Sequence, residues 1–314
     1  MKRILAILLV LTAFLCACSS EQPQESTTTP PVETTEPIPE VDWMTLPAER
    51  AISAEQYFVY DCETRQFVTK AEEISTKIYP ASVTKLFTAY VALQYLDTSK
   101  SVTAGEVLNK VAAGSSVAEI KRGDSLTVEQ LVAGMLLPSG NDAAYLLAAE
   151  AGRAMYGEKS GSVSTDEAVS RFVKEMNDQA KLLGMTGTNF ANPDGIHSDS
   201  HYTTYADLAI MGSLALEDPV IMKYTSFSTM DMALQSGSVT WKNTNAIIDS
   251  ASEYYCSLCT GLKTGQTPMA GSCLLSAFEY RDRTLIIGVF GCKEVDDRFP
   301  DTLQLFNQAV GISQ

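Results

Sequence analysis

The periodicity of apolar and polar residues changes twice along the chain and divides it into three regions. Residues 57–60 form an aromatic and β-branched run that predicts a strand, and residues 66–69 return as its hairpin partner. Between about residues 100 and 250, apolar side chains recur mostly at helical spacing. From about residue 256 onward, the strand pattern returns.

The last region predicts three strands and a closing helix. The strands span residues 257–265, 271–280 and 284–291, and the helix spans residues 301–310. Strands therefore occur at both ends of the region, with helices between them. This order predicts an α+β fold in which an antiparallel five-stranded sheet is built from both chain ends, with flanking helices and an inserted all-helical subdomain.

Local signals mark where the central helices begin and end. Thr127-x-x-Gln130 and Ser164-x-x-Glu167 have the spacing of capping boxes, and each precedes an amphipathic pattern. Gly184 is the expected end of the second of these helices. Pro138 and Gly140 predict a break between two other helices.

The N-terminus has the features of a secretion signal. Two basic residues precede an apolar run at residues 4–15, which is too short to span a membrane as a mature helix. The segment Leu15-Cys16-Ala17-Cys18 then resembles a bacterial lipoprotein cleavage box. We therefore expect residues 1–18 to be a lipoprotein signal peptide, with Cys18 as the lipidated residue. The alternative is an ordinary signal peptide that contains cysteines.

A polar segment separates this signal from the folded region. Residues 19–48 are rich in Pro, Thr and Glu and contain too little apolar surface to offset the entropy of ordering. We expect a disordered linker here and a single folded domain at residues 49–314. The lipid would then anchor the domain to the outer face of the bacterial membrane.

Composition limits the classes of partner. The net charge is −15 and 45% of the residues are apolar, as in a globular protein with an acidic balance. Because nucleic-acid binding requires a basic face, we expect no nucleic-acid partner. The five cysteines outside the signal include the pair Cys256-x-x-Cys259, which we interpret as structural rather than redox-active or metal-binding.

Three short motifs carry the candidate chemistry. Ser82-Val83-Thr84-Lys85 begins a predicted helix, Ser139-Gly140-Asn141 lies in the helix break, and Lys263-Thr264-Gly265 lies on a predicted strand. Positions i and i+3 share one helix face, so Lys85 can reach the Ser82 hydroxyl. A buried lysine near a second cation has a lowered pKa, which lets it act as the base that activates a serine.

The ordered set of motifs resembles that of penicillin-binding proteins and class A β-lactamases. The flanking residues are similar to those of the low-molecular-weight serine D-Ala-D-Ala carboxypeptidases, or peptidase S11. They are Tyr79-Pro80-Ala81-Ser82-Val83-Thr84-Lys85-Leu86, Leu136-Leu137-Pro138-Ser139-Gly140-Asn141-Asp142-Ala143-Ala144, Asn189-Phe190-Ala191-Asn192-Pro193-Asp194-Gly195, His201-Tyr202-Thr203-Thr204 and Gly261-Leu262-Lys263-Thr264-Gly265-Gln266-Thr267. The resemblance implies the fold shared by DD-peptidases and β-lactamases.

The resemblance also implies a reaction. The chain would remove the terminal D-Ala from a peptidoglycan stem peptide through an acyl-enzyme on Ser82, and β-lactams would be covalent inhibitors. Lys85 would be the base, and Ser139 would pass a proton to the leaving amine. The residues implied in substrate binding are Asn141, Lys263, Thr264, Gly265, Gln266, Thr267 and Arg298. The backbone N–H groups of Ser82 and Gln266 would form the oxyanion hole. No metal or other cofactor is implied.

Two alternatives remain open at the level of sequence. A class A-like β-lactamase would carry a glutamate in an E-x-x-L-N setting, and that string is absent between Asn141 and Lys263. A non-catalytic penicillin sensor would keep Ser82 but would not cleave peptides. His197 and His201 are four residues apart, yet they follow a turn sequence, so we expect loop or hydrogen-bonding roles for them rather than a metal site.

Overall fold

A computed structural model describes residues 51–311, without the side chains of residues 158 and 159. The predicted signal peptide, the linker and Cys18 lie outside the described residues. The strands are β1 Gln56–Asp61, β2 Gln66–Lys70, β3 Lys77–Ile78, β4 Ser101–Thr103, β5 Ser125–Thr127, β6 Thr203–Thr204, β7 Thr229–Leu234, β8 Gly237–Lys242, β9 Cys259–Thr267, β10 Gly271–Tyr280 and β11 Arg283–Cys292. The helices are α1 Thr84–Leu93, α2 Val128–Leu136, α3 Asn141–Ala154, α4 Thr165–Leu182, α5 Tyr205–Glu217, α6 Pro219–Thr225 and α7 Arg298–Val310.

Both ends of the described chain build one five-stranded sheet. Its order is β2-β1-β11-β10-β9, and each neighbouring pair is antiparallel. The predicted antiparallel sheet is therefore confirmed. Strand β9 lies at one edge, so the strand that carries Lys263 has a free side toward the helical region.

The two faces of the sheet enclose two separate cores. Leu275 and Ile286 belong to the core on the side of the inserted region, whereas Leu274 and Ile287 face the core under α7. This alternation follows from the pleat, because successive strand residues point to opposite faces. The sheet is apolar on both faces and is thus a rigid support for the residues at its edge.

Between β1–β2 and β9, the chain is mainly helical, but it also contains short strands. The pairs β3–β6 and β4–β5 are two or three residues long, and β7–β8 form a six-residue hairpin. The all-helical description of the inserted region was therefore too simple. Trp241 of β8 is buried and donates its indole N–H to the carbonyl of Ala118 at 2.9 Å, which fixes the hairpin to the helical region.

Helix starts and stops follow the local signals. The side-chain oxygens of Thr127 and Ser164 each accept the backbone N–H of the N3 residue. The N3 side chains, Gln130 and Glu167, in turn accept the backbone N–H of Thr127 and Ser164. Both predicted capping boxes are therefore confirmed. Helix α7 begins at Arg298, three residues earlier than the predicted start at residue 301.

Candidate active site

The first motif lies where a short 3₁₀ turn leads into α1. The turn spans Ala81–Val83, and α1 begins at Thr84. Lys85 lies one turn beyond Ser82, and its Nζ donates to Ser82 Oγ at 2.7 Å. The structure thus brings the predicted nucleophile and base into direct contact.

Burial prepares Lys85 to accept a proton. Its side chain has no solvent exposure. This burial lowers the pKa of Lys85 to about 8, although the carboxylates of Asp194 and Asp142 act in the opposite direction. At pH 7 about a tenth of Lys85 is therefore the free amine, far more than for a lysine with the usual pKa, and the free amine is the form that can deprotonate a serine.

The Asn192–Gly195 turn supplies a contact that the sequence did not assign. The carbonyl oxygen of Asp194 accepts a hydrogen bond from Lys85 Nζ at 2.7 Å and lies 3.4 Å from Ser82 Oγ. Gly195 has φ +86°, and a Cβ there would lie 1.9 Å from the carbonyl oxygen of Ala81. The close approach of this loop to the nucleophile therefore depends on glycine.

Strand β9 carries a second buried lysine, Lys263, within electrostatic range of Lys85. Lys263 is buried, and its pKa lies well below the usual value because of this burial and the nearby charges of Lys85 and Arg298. Two adjacent buried cations oppose each other's protonation. A substrate carboxylate at Lys263 would raise its pKa and would favour the proton there rather than on Lys85.

The same strand passes close to the backbone of the nucleophile. A Cβ on Gly265 would lie 3.0 Å from the backbone nitrogen of Ser82. The next residue, Gln266, is exposed on β9. This close passage is compatible with an oxyanion hole formed by the N–H groups of Ser82 and Gln266. Thr267 is half-buried, and its hydroxyl accepts the N–H of Ala270 at 3.0 Å at the turn into β10.

The second motif joins α2 to α3. Ser139 is buried and has φ +63°, an uncommon conformation for a serine. Asn141 is the first residue of α3, and its buried Oδ1 has no hydrogen-bond partner among the described residues. Such an orphaned acceptor is costly unless something donates to it, and a substrate N–H can do so.

Thr244 connects the second and third motifs, and sequence reasoning missed it. Its hydroxyl shares a hydrogen bond with that of Thr264 and accepts one from Lys263 Nζ at 3.4 Å. Its backbone N–H donates to the carbonyl of Leu137 at 3.2 Å, two residues before Ser139. Its neighbours Asn243 and Asn245 are buried polar residues, and the polar string Asn243-Thr244-Asn245 was the available sequence signal.

Arg298 contacts the backbone of β9. It is the first residue of α7 and is 7% exposed, and its Nη1 donates to the carbonyl of Gly265 at 3.4 Å. Its guanidinium therefore reaches the same strand as Lys263. All the site residues predicted within residues 51–311 lie on the Ala81–Val83 turn and α1, on α3 and the loop before it, on β9, or at the start of α7.

The histidines and cysteines have other surroundings. His201 is buried, its Nε2 lies 2.8 Å from Thr84 Oγ1, and its Nδ1 accepts the N–H of Ala191. Burial lowers its pKa to about 4, so it is neutral at pH 7 and has the expected hydrogen-bonding role. The five cysteines of the described region are free thiols, and residues 51–311 contain no group of three potential metal ligands.

The comparisons with known proteins agree on one family. The model of the D-alanyl-D-alanine carboxypeptidase family, peptidase S11, matches residues 44–294. The D-alanyl-D-alanine carboxypeptidase of Streptomyces sp. strain K15 is 34% identical over 250 residues, which are 76% of this chain and 80% of that protein. The D-alanyl-D-alanine carboxypeptidase DacF of Bacillus subtilis is 30% identical over 226 residues, which are 71% of this chain and 53% of that protein. This chain thus spans about half of that relative.

Solved structures give the same fold. The Streptomyces K15 DD-transpeptidase superposes with a TM-score of 0.74 at 29% identity and covers 84% of this chain and 100% of that chain. Penicillin-binding protein D2 of Listeria monocytogenes, in a cefotaxime-bound form, gives a TM-score of 0.67 at 27% identity, again over 84% and 100%. The DD-peptidase fold is therefore confirmed.

Proposed function

This chain belongs to the peptidase S11 family of D-alanyl-D-alanine carboxypeptidases, and we propose that it removes the terminal D-Ala from peptidoglycan stem peptides through an acyl-enzyme on Ser82. The observation that carries this proposal is the 2.7 Å contact between Lys85 Nζ and Ser82 Oγ, with the pKa of Lys85 lowered to about 8. The contact supports Ser82 as an activated nucleophile with Lys85 as its base.

In the first step, neutral Lys85 takes the proton of Ser82 as its oxygen attacks the carbonyl carbon between the two D-Ala residues. The backbone N–H groups of Ser82 and Gln266 stabilise the negative oxygen that develops. The C–N bond then breaks, and the proton held by Lys85 passes through Ser139 to the leaving amine, which returns Lys85 to its neutral form. Lys263, Thr264 and Arg298 hold the terminal carboxylate, and Asn141 holds the amide of the retained peptide.

In the second step, water attacks the ester carbon and neutral Lys85 accepts its proton. The bond between that carbon and Ser82 Oγ then breaks, and the proton passes from Lys85 to Ser82 Oγ. The carbonyl of Asp194 contacts both Ser82 Oγ and Lys85 Nζ, so the 192–195 loop presents a backbone carbonyl to the nucleophile. A carbonyl cannot deprotonate water. The E-x-x-L-N string that carries the deacylating glutamate of class A-like β-lactamases is absent between Asn141 and Lys263, so we infer slow release of bound β-lactams, which argues against the β-lactamase alternative.

We further propose that the protein acts outside the cytoplasmic membrane, held to its outer face by a lipid on Cys18. The support is the cleavage-box sequence of residues 15–18 and the polar linker after it. No helix within residues 51–311 is long and apolar enough to cross a membrane. A Cys18→Ala variant should move from the membrane fraction to the soluble fraction, while continued membrane association would refute lipid anchoring at this residue.

Incubation with a pentapeptide ending in D-Ala-D-Ala tests the central proposal. We expect stoichiometric release of D-Ala and a tetrapeptide, complete loss of release in Ser82→Ala, and loss of release after treatment with a β-lactam. A β-lactam adduct on Ser82 without any D-Ala release would instead favour the penicillin sensor. Rapid β-lactam turnover without an adduct would favour the β-lactamase.

A further inference from the structure

The carboxylate of Asp194 is a buried charge to which the proposed mechanism gives no role. The residue is 1% exposed, and its Oδ2 has no hydrogen-bond partner among residues 51–311. Its Oδ1 accepts the backbone N–H of Ile196 at 3.3 Å, as in an Asx turn. An asparagine would supply the same acceptor without burying a charge, so the turn alone does not explain a carboxylate here.

The backbone of Asp194 limits how far this carboxylate can be from Lys85. The carbonyl oxygen of Asp194 accepts a hydrogen bond from Lys85 Nζ at 2.7 Å. A carbonyl oxygen and a carboxylate oxygen of the same aspartate lie within about 6 Å of each other, so the carboxylate is within about 9 Å of Lys85 Nζ. At this distance in a buried site, a carboxylate stabilises an ammonium group.

Hydrogen bonds on both sides of the carboxylate hold the turn in place. Thr88 of α1 donates its hydroxyl to the carbonyl of Pro193 at 2.7 Å. The side chain of Asn192 accepts the N–H of Gly195 and donates to the carbonyl of Ile196, both at 2.8 Å. The fold therefore fixes the position of this charge relative to the base.

Asp142 is the other carboxylate near Lys85, and its surroundings differ. Both carboxylates oppose the effect of burial on the pKa of Lys85, and Asp194 has the larger effect. The oxygens of Asp142 accept the backbone N–H groups of Ala118 and Ile120, so this carboxylate has partners of its own. Asp194, with its unpartnered Oδ2, is therefore the carboxylate whose charge is available to Lys85.

Other ionisable groups lie around the pair but do not account for the same effect. Burial lowers the pKa of His201 to about 4 and raises that of Tyr145 to about 12, so both are neutral between pH 6 and 9.5. Lys263 lies on β9, and its pKa is lowered by burial and by the charges of Lys85 and Arg298. A variant that changes the carboxylate alone keeps Lys263, so its difference from the wild type reports on the carboxylate.

We propose that Asp194 is a positioning residue for acylation: its carboxylate stabilises the ammonium group that forms when Lys85 takes the proton of Ser82. The O–H bond of the serine breaks and an N–H bond forms on Lys85, while Asp194 stays ionised and gains no proton. The inference rests on the proposed acyl-enzyme at Ser82. It goes beyond that proposal because it gives a side chain of the 192–195 loop a role in setting the pH at which acylation occurs.

A charge with this role has a specific effect on the pH profile of acylation. Without it, the ammonium of resting Lys85 and the ammonium formed during acylation are destabilised alike. Below the midpoint these two effects cancel, because the resting lysine is already protonated there. Above the midpoint the resting lysine is neutral, so the loss acts on the forming ammonium and the rate falls. A lost turn contact would instead lower the rate at every pH.

The test is Asp194→Asn, which removes the charge and keeps an acceptor for the Ile196 N–H. The rate of covalent β-lactam attachment to the full protein is followed by intact mass between pH 6 and 9.5. One charge at about 9 Å changes the midpoint of a buried group by about one pH unit. We expect the midpoint to move from near pH 8 to near pH 7, with about a tenfold lower rate at pH 9.5 and a rate within about threefold of the wild type at pH 6.

Two further variants separate the charge from the turn. Asp194→Ala also removes the charge, so its midpoint should move by the same amount, and the lost turn contact should lower its rate about fivefold more at every pH. Asp199→Asn is the matched control, because this carboxylate belongs to the same loop but its side chain is fully exposed. Its midpoint and rate should equal those of the wild type.

An unchanged midpoint in the two Asp194 variants would overturn the proposal, and so would a rate that falls by the same factor at every pH. Failure of the catalytic proposal is recognised separately, by the absence of any adduct on Ser82 in the wild type. In that case an NMR titration of protein labelled in its lysine side chains measures the midpoint of Lys85 directly, with its resonance assigned from Lys85→Met. A midpoint about one pH unit lower in Asp194→Asn supports the charge pair, and equal midpoints reject it.

Discussion

Replacing Lys85 with methionine should stabilise the protein at pH 7 while removing its activity. Burial lowers the pKa of Lys85 from 10.5 to about 8. At 1.36 kcal/mol per unit, this difference corresponds to a cost of about 3 kcal/mol for holding the ammonium in the folded state. Methionine fills a similar volume without charge, but it loses the hydrogen bonds to Ser82 and Asp194, which are together worth about 1–2 kcal/mol.

The net expectation is a gain of about 1–2 kcal/mol in the free energy of unfolding at pH 7. The folded-state pKa lies below the unfolded value, so wild-type stability rises between pH 8 and 10.5 as the folded lysine loses its proton and the unfolded one keeps it. The advantage of methionine should therefore be full below pH 8, should vanish between about pH 9 and 10, and should reverse by pH 10.5, where only the lost hydrogen bonds remain.

Urea denaturation of both proteins at pH 7 and at pH 10 measures this difference. Lys121→Met is the control, because Lys121 is exposed and its replacement should change stability by less than about 0.5 kcal/mol. β-Lactam acylation of Lys85→Met should fall by about 10²- to 10⁴-fold. The reasoning is refuted if Lys85→Met is less stable than the wild type at pH 7, or if its gain is the same at both pH values.

Three further substitutions test other parts of the site. Ser82→Ala should remove covalent β-lactam binding and leave the far-UV circular dichroism unchanged; an adduct on this variant would refute the nucleophile assignment. Gly195→Ala should lose at least about 2 kcal/mol of stability and most acylation, because its Cβ would overlap the carbonyl of Ala81; wild-type acylation would show that the loop can move aside. As the pH falls from 6.5 to 4, the free energy of unfolding of the wild type should decrease by up to about 3 kcal/mol more than that of His201→Asn, because the folded-state pKa of His201 is about 4. An equal decrease in both proteins would contradict this.

Local sequence signals predicted the parts of the site that depend on neighbouring residues. The contact between Ser82 and Lys85 follows from one turn of helix, and the capping boxes at Thr127 and Ser164 follow from a three-residue spacing. The sheet of both chain ends was predicted from the order of strand patterns. In each case the sequence carries the geometric constraint directly.

Other parts depend on contacts that residue types do not encode. The carbonyl of Asp194 is a backbone group, so no side-chain pattern marks its contact with Lys85. Thr244 is 19 residues before Lys263 and reaches it only because of the turn after β8. The β7–β8 hairpin did have a signal, since residues 229–234 alternate before a glycine, but this signal was weaker than the helical pattern around it.

The central claim is that neutral Lys85 activates Ser82, and the pH dependence of acylation tests it most directly. The rate of covalent β-lactam attachment, followed by intact mass, should rise through a midpoint near pH 8, and peptide mapping should locate the adduct on Ser82. A rate that stays constant between pH 6 and 9.5, or an adduct on another residue, would contradict the account.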